Sequence, residues 1–283
     1  MREKILWETV TSLSEQLRGQ DELLIIDQND PPLEIPESQK KPWPKLYHLK
    51  TPSLTKARNL GIKKALHEIM VFLDDDIIAN PELLNSIRAV TLEHPNCVLT
   101  GVVDQEDKSN QIPSPGSINL HTGEIKTNFS RPFSGEVPFF PGGLAIIPRS
   151  CLPPPPYFCP AFKGASQGEE IDFALRVKAR GKKIFADPSI RIFHLKILEG
   201  GCRSPEFKKQ FFLNHVFNEA LFFARQGRLR STLLFLKRMK NFIEFYCRTP
   251  GKQSHRLSMF LSALLQLSRG YLTGIWHRVM GIA

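Results

Sequence analysis

The sequence predicts an α/β layered fold with a mostly parallel sheet over residues 1–195, and two observations carry that expectation. Short apolar runs of strand length alternate with helical patterns along this stretch, the signature of strand and crossover helix following one another. The composition, 41% hydrophobic, 23% charged and 10% aromatic over 283 residues, is that of a folded globular chain rather than a disordered or fibrous one. In such a fold, ligands bind outside the C-terminal ends of the strands.

Ile5, Leu6, Val10, Leu13 and Leu17 recur at helical spacing until Gly19 ends the pattern. Glu22–Asp27 (ELLIID) is a short buried strand, closed by the breakers Gln28, Asn29, Asp30, Pro31 and Pro32. A proline-rich connection follows, and Thr55–Glu68 has helical composition despite Gly61. Ile69–Leu73 (IMVFL) is a second buried strand, which runs directly into Asp74, Asp75 and Asp76. Asn80, Pro81 and Glu82 are expected to start a helix with Asn80 as N-cap, continuing to about His94.

Cys97–Val103 is the next strand, and residues 104–137 are expected to form an irregular loop. Pro141, Gly142 and Gly143 precede the apolar run Leu144–Ile147. After the prolines of Leu152–Pro156, Gly168, Glu169 and Glu170 open a helix to about Arg180. Two short strands, Lys183–Ala186 and Ile190–His194, complete the part. From Ser204 the pattern turns helical and Phe-rich, with further apolar helical stretches around Leu233–Tyr246 and Leu257–Leu267. The longest uncharged run there, Leu257–Ser268, falls short of the roughly 20 residues a membrane span needs.

Five cysteines, odd in number and without C-x-x-C spacing, signal neither a disulfide framework nor a zinc site. The charged first residues lack a signal peptide's apolar core. Cytoplasmic residence is expected. Against a net charge of +10, the segment from Lys196 onward carries +11, with fifteen Lys/Arg against four Glu, and the rest of the chain is close to neutral. A basic tail suits an anionic partner, and the acidic residues elsewhere disfavour nucleic acid, whose phosphates they would repel.

Several residues carry candidate chemistry, each beside a plainer alternative. Asp74, Asp75 and Asp76 at a strand end are a divalent metal site or a solvated acidic turn. Asp27 ends another strand, either to contact a nucleobase or to form a turn. Arg58 and Asn59 lie early in the helix feeding the aspartate strand; a guanidinium there pairs with a diphosphate or faces solvent. Glu169, Glu170 and Asp172 sit at a helix N-terminus, where carboxylates are favoured by the dipole and where one with a raised pKa can act as a general base. His194 at a strand end is a structural histidine or an imidazole ligand.

In order, the segments ELLIIDQND, LTKARNLGIKKALHEIMVFLDDDIIANPELL, FPGGLAIIPRS and GEEIDFALRVKARGKKIFADPSIRIFHL resemble a family 2 glycosyltransferase of the GT-A fold over residues 5–195. The resemblance implies a catalytic domain over residues 1–200 and a basic, aromatic-rich helical region over 201–283. It assigns Asp27, Asp74 and Asp75 to the nucleotide-sugar, which Arg58 and Asn59 are expected to join from their helix, and Asp76, Asp74 and His194 to a divalent metal (Mn²⁺ or Mg²⁺). Gly142 and Gly143 border the acceptor, and Glu170, flanked by Glu169 and Asp172, supplies the base.

Two departures stand out. The chain starts in the first helix without the strand that usually precedes it, and Glu170 stands where the family carries Asp. The absence of Gln-x-x-Arg-Trp points to single-sugar transfer rather than polymerisation. A glycan or lipid-linked acceptor is expected, the latter reached by the basic tail on the inner face of a membrane. The competing expectation is a degenerate, inactive glycosyltransferase-like subunit that binds a nucleotide-sugar or a partner. A dehalogenase-like phosphatase is disfavoured, because Ile77 and Ile78 stand where that motif requires Thr or Val.

Overall fold

The computed structural model describes residues 2–37, 44–104, 115–195, 197, 208–227 and 256–282. Helix α1 (Arg2–Ser14) buries Val10 and Leu13, and its Thr9 hydroxyl donates to the carbonyl of Ile77 at 2.7 Å. This ties the first helix to the stretch that follows the aspartates. Strand β1 (Leu24–Asp27) pairs in parallel with β2 (Lys45–His48) as a separate two-stranded sheet. Helix α2 (Leu54–Lys64) opens at Ser53, whose hydroxyl accepts from the Lys56 amide, and it ends earlier than its composition suggests.

The main sheet holds β3 (Ile69–Leu73), β9 (Leu144–Pro148), β5 (Cys97–Asp104), β10 (Lys183–His194) and β4 (Ile77–Ala79) in that order, with β8 (Gly135–Glu136) paired to β10. The layered α/β arrangement is as expected, but the sheet is mixed rather than mostly parallel. Only β5 and β10 pair in parallel, and the other pairings are antiparallel. The cause lies in residues 104–143. This stretch contains no crossover helix among its described residues; instead a hairpin of β6 (Gly116–Asn119) and β7 (Glu124–Thr127) turns at Gly123, and the chain re-enters the sheet at the end it left.

Other expectations shift for local reasons. Asn80 is not the N-cap of α3 (Leu83–Glu93); its side chain accepts from the Glu82 amide, forming an Asx turn ahead of the helix. Lys183–His194 is one bent strand rather than two, with a register shift between Ala186 and Arg191. The bend presses on β5 at Gly101, where any Cβ would collide with the Ile190 carbonyl.

Strands β3, β5 and β10 run the same way, so Leu73, Asp104 and His194 end on one rim. The antiparallel β4 and β9 begin there, with Ile77 opposite His194 and Leu144 opposite Leu73. Strand direction thus gathers Asp74–Asp76, Gly142, Gly143 and His194 at one edge.

Helix α4 (Glu169–Ala179) packs against β10, and α5 (Lys208–Arg225) packs against α6 (Arg256–Val279). Phe217, Leu221, Phe222 and Phe223 of α5 belong to the same core cluster as Leu99, Ile146, Phe173 and Ile184. Helix α6 crosses α5 closely at Gly270 and Gly274, where a Cβ would run into the carbonyls of Phe217 and Leu221. The Leu257–Leu267 pattern falls within α6, whereas the expected helix start at Ser204 and the stretch Leu233–Tyr246 lie outside the described residues. No helix among the described residues is long and apolar enough to cross a membrane. Cys97, Cys151 and Cys159 are free thiols.

Candidate active site at the strand rim

The aspartates occupy the turn between β3 and β4. Their polar groups are positioned from the far end of the sheet: His194 Nε2 lies 3.0 Å from Asp76 Oδ1 and 3.7 Å from Asp74 Oδ2. The Ile197 amide donates to Asp76 Oδ2 at 3.1 Å, and the Leu195 amide donates to the Asp76 carbonyl. Asp76 is buried, and Asp74 and Asp75 are half-buried. Burial pushes the Asp74 carboxyl up; Arg58 and His194 pull it down, while Asp76 and Asp75 push further in the same direction as burial.

Asp74, Asp76 and His194 offer two carboxylate oxygens and an imidazole nitrogen whose ligand atoms all lie within 4.8 Å of one another. A divalent ion about 2.1 Å from each ligand holds donor atoms up to about 4.2 Å apart, so these groups fit one after closing by a few tenths of an ångström. The chemistry of the set agrees with the spacing, because crowded carboxylates are relieved by a cation.

Gly143 faces this cluster directly. A Cβ there would stand 2.5 Å from Asp74 Oδ2, so only glycine lets the backbone pass so near the carboxylate. The neighbouring Gly142 carbonyl accepts from Arg58 Nη2 at 2.5 Å, and Arg58 Nη1 pairs with Glu169 Oε1. Both side chains of that pair are buried, and Arg58 also lies over the Phe158 ring, 5.2 Å from its centroid. The second oxygen of Glu169 is buried without a partner among the described residues. Asn59 is committed to backbone: its amide donates to the Phe158 carbonyl at 2.7 Å and accepts from the Phe158 amide at 2.9 Å.

The three acidic residues of α4 diverge. Glu169 turns to Arg58, and Asp172 turns away to α5, where Arg225 Nε and Nη2 donate to its two oxygens at 2.9 and 3.1 Å. Glu170 lies within electrostatic reach of both Arg58 and Asp74. Burial raises its carboxyl; its own backbone amide, Arg58 and the Gly168 amide work against that, and Asp74 works with it. A raised carboxyl near a positively charged side chain is suited to accept a proton from a substrate hydroxyl.

Asp27 lies on the separate β1–β2 sheet, buried, with its oxygens accepting from the amides of Asn29 and Leu33 and from the Asn29 side chain, and with His48 Nδ1 at 3.2 Å. Burial raises this carboxyl, but its hydrogen bonds outweigh burial and hold it below the ordinary aspartate value. Sequence reasoning missed Arg225, His48 and the Ile197 amide. No local pattern marks any of them, since each is defined by a partner distant along the chain.

A family model described as "Glycosyl transferase family 2" matches residues 1–152, more than half of the 283 residues. No curated protein matches the chain. Among solved structures, S. aureus TarS 1-349 in complex with UDP-GlcNAc is 17% identical, covers 99% of this chain and 89% of that one, and superposes with a TM-score of 0.58. S. aureus TarS in a second structure is 18% identical over 98% of this chain and 53% of its own, with a TM-score of 0.52. GalNAc-T7 with UDP, GalNAc and Mn²⁺ is 17% identical over 79% of this chain and 48% of its own, with a TM-score of 0.53. The chain therefore spans about half the length of these last two. The likeness is one of fold, GT-A, and it extends past the family match to α4 and the tail.

Proposed function

The chain belongs to glycosyl transferase family 2, and from that premise we propose that it transfers one sugar from a nucleotide-sugar donor to a hydroxyl of a glycan or lipid-linked acceptor, with inversion. What supports the proposal is a set of ligand atoms from Asp74, Asp76 and His194 that fits one cation, with Arg58 and Glu170 within electrostatic reach of Asp74.

Asp74, Asp76 and His194 would hold the divalent metal, Mn²⁺ or Mg²⁺. When bound, that ion supplies positive charge against the diphosphate leaving group. Asp75 and Asp27 contact the nucleoside part, and Arg58 stands behind the diphosphate, with Asn59 fixing the Phe158 backbone beneath it. Gly142 and Gly143 keep the approach on the acceptor side free of side chains. The acceptor oxygen attacks the anomeric carbon, the bond from that carbon to the diphosphate oxygen breaks, and the hydroxyl proton passes to Glu170. One displacement with base and leaving group on opposite faces inverts the configuration.

A lipid-linked acceptor accords with α6. Leu261, Leu265, Leu272, Ile275, Trp276 and Val279 are exposed along this helix, in a tail rich in Lys and Arg, the makeup of a helix lying on an anionic bilayer. Sedimentation with phosphatidylglycerol vesicles checks this: Leu272→Glu is expected to abolish co-sedimentation, and equal binding by the variant contradicts it.

The main test is a panel of UDP-, GDP- and dTDP-sugars with Mn²⁺, comparing wild type with Glu170→Gln. Turnover by wild type that falls roughly 100- to 10,000-fold in the variant, with donor binding retained, is expected. Binding without turnover in wild type replaces the enzyme with a donor-binding subunit. The absence of metal-dependent donor binding removes the proposal.

A further inference from the structure

Helix α4 begins without a side-chain N-cap. Its N-cap is Gly168, at φ 87°, which offers no side chain to accept from the first amides. The approach to it turns tightly, with Gly164 and Ser166 both at positive φ, 57° and 52°, and with the Ser166 amide donating to the Lys163 carbonyl and the Glu169 amide to the Ser166 carbonyl. Yet this turn carries Glu170, whose direction decides whether its carboxylate faces the rim.

Side-chain support for this turn comes from α5. Asn218 accepts from the Lys163 amide at 2.8 Å and donates to the Lys163 carbonyl at 2.9 Å and to Gln167 Oε1 at 3.3 Å. Two helical turns further along the same face, Arg225 grips Asp172 with two nearly parallel hydrogen bonds, and Gln226 adds a third at 3.3 Å. The remaining Arg225 nitrogen, Nη1, donates to the Ile282 carbonyl at 3.0 Å and lies 3.1 Å from His277 Nδ1, which ties the grip to the end of α6. Asn214, on the same stripe, stands so near Gly164 that a Cβ there would come within 2.5 Å of its side chain. The two side chains of the Arg225–Asp172 pair are 7% and 1% exposed, so water contributes little to holding this geometry.

Glu169 and Asp172 are three residues apart and share one face of α4. Arg58 fixes the first and Arg225 the second, and a helix turn held at both points cannot rotate. Resting on the transferase proposal above, we propose that Arg225 is a positioning residue. By holding Asp172 it fixes the rotation of the first turn of α4 and therefore the aim of Glu170 at the acceptor hydroxyl. The basic tail is thus part of the catalytic apparatus.

The test uses the full chain with Arg225→Ala and, as an isosteric second variant, Asp172→Asn. Two quantities are read: steady-state kinetics on whichever donor of the panel wild type consumes, and hydrogen exchange at the amides of residues 169–172. The expected result is a fall in kcat of roughly 10- to 100-fold with donor KM held within about twofold, as for a misaimed base. Exchange should quicken in the first turn of α4 by more than it does in β3 and β5, and guanidinium ion in solution should restore part of the kcat of Arg225→Ala. Unchanged kcat and exchange in a folded variant overturn the proposal, as does a loss of kcat matched by an equal loss of donor affinity with exchange quickened no more in α4 than in the sheet, which marks a merely structural pair. Where Arg225→Ala does not fold, Asp172→Asn decides the matter on the same readouts. If wild type consumes no donor, the transferase proposal fails, while the exchange comparison still decides whether Arg225 orders this turn.

Discussion

The rim aspartates and Asp172 are carboxylates in neighbouring parts of one fold, and the protein compensates them oppositely. Asp172 is neutralised within the chain, by a bidentate guanidinium and an amide. Asp74 and Asp76 stand beside one another and Asp75, with His194 and two backbone amides near Asp76 and the burial of Asp74 pushing its carboxyl up. A carboxylate satisfied inside the fold serves structure. Asp74 and Asp76 instead converge with His194, their ligand atoms all within 4.8 Å of one another, a spacing that a cation from outside can bridge. The distinction lies in the partners, since all of these residues were candidates for chemistry by type and position alone.

The sharpest way to break the comparison is to neutralise one carboxylate in each place. Asp172→Asn leaves a buried guanidinium unpaired and is expected to cost about 3 to 5 kcal/mol of folding stability. Asp74→Asn removes a charge repelled by its neighbours and, without metal, is expected to leave stability unchanged or raise it by about 1 kcal/mol. Denaturant melts of the two variants measure both. Equal losses would erase the difference.

A pH profile sharpens it further. Glu170 has a raised carboxyl in the folded chain, so the folded state holds its proton more tightly than the unfolded state does. The ionised side chain therefore weakens the fold at neutral pH, and the penalty fades as pH falls through the raised value. Glu170→Gln should accordingly be no less stable than wild type near pH 7. In wild type the base is lost over that same descent, so the acid limb of kcat should lie above the ordinary glutamate range. An acid limb at the ordinary value would assign the base elsewhere.

The smallest effect is expected at Gly143→Ala. Its Cβ would press on Asp74 Oδ2 at 2.5 Å and shift the carboxylate without unsettling the core. Metal-dependent donor affinity should fall about tenfold, with the melting temperature nearly unchanged. A calorimetric titration with UDP and Mn²⁺ reads this, and unchanged affinity would remove the glycine from the site.

Much of this arrangement was legible in the sequence where it depends on local pattern. ELLIID and IMVFL announce β1 and β3 through continuous apolar runs, and the acidic start of α4 follows from Gly168 and its successors. What escaped depends on partners far along the chain. Strand β4 is only Ile77–Ala79 and becomes a strand by pairing with β10. The β6–β7 hairpin alternates polar and apolar residues too weakly to stand out from a loop. The direction of β9 is set by how the chain returns, which no periodicity records.

The same limit applies to the site. Asp74–Asp76 and Glu170 were visible as strand-end and helix-start residues. The division of labour among Glu169, Glu170 and Asp172 was not, because Arg58 and Arg225, which draw two of them away, come from α2 and from the far end of α5.

The central claim is that the rim carboxylates hold a metal through which the donor binds. Its most direct test is a titration of wild type and Asp76→Ala with Mn²⁺ in the presence and absence of UDP, followed by the electron paramagnetic resonance of free Mn²⁺. Wild type is expected to withdraw Mn²⁺ from solution more strongly when UDP is present, and Asp76→Ala to weaken this uptake by about 100-fold or more. Equal Mn²⁺ uptake by the two proteins would contradict it.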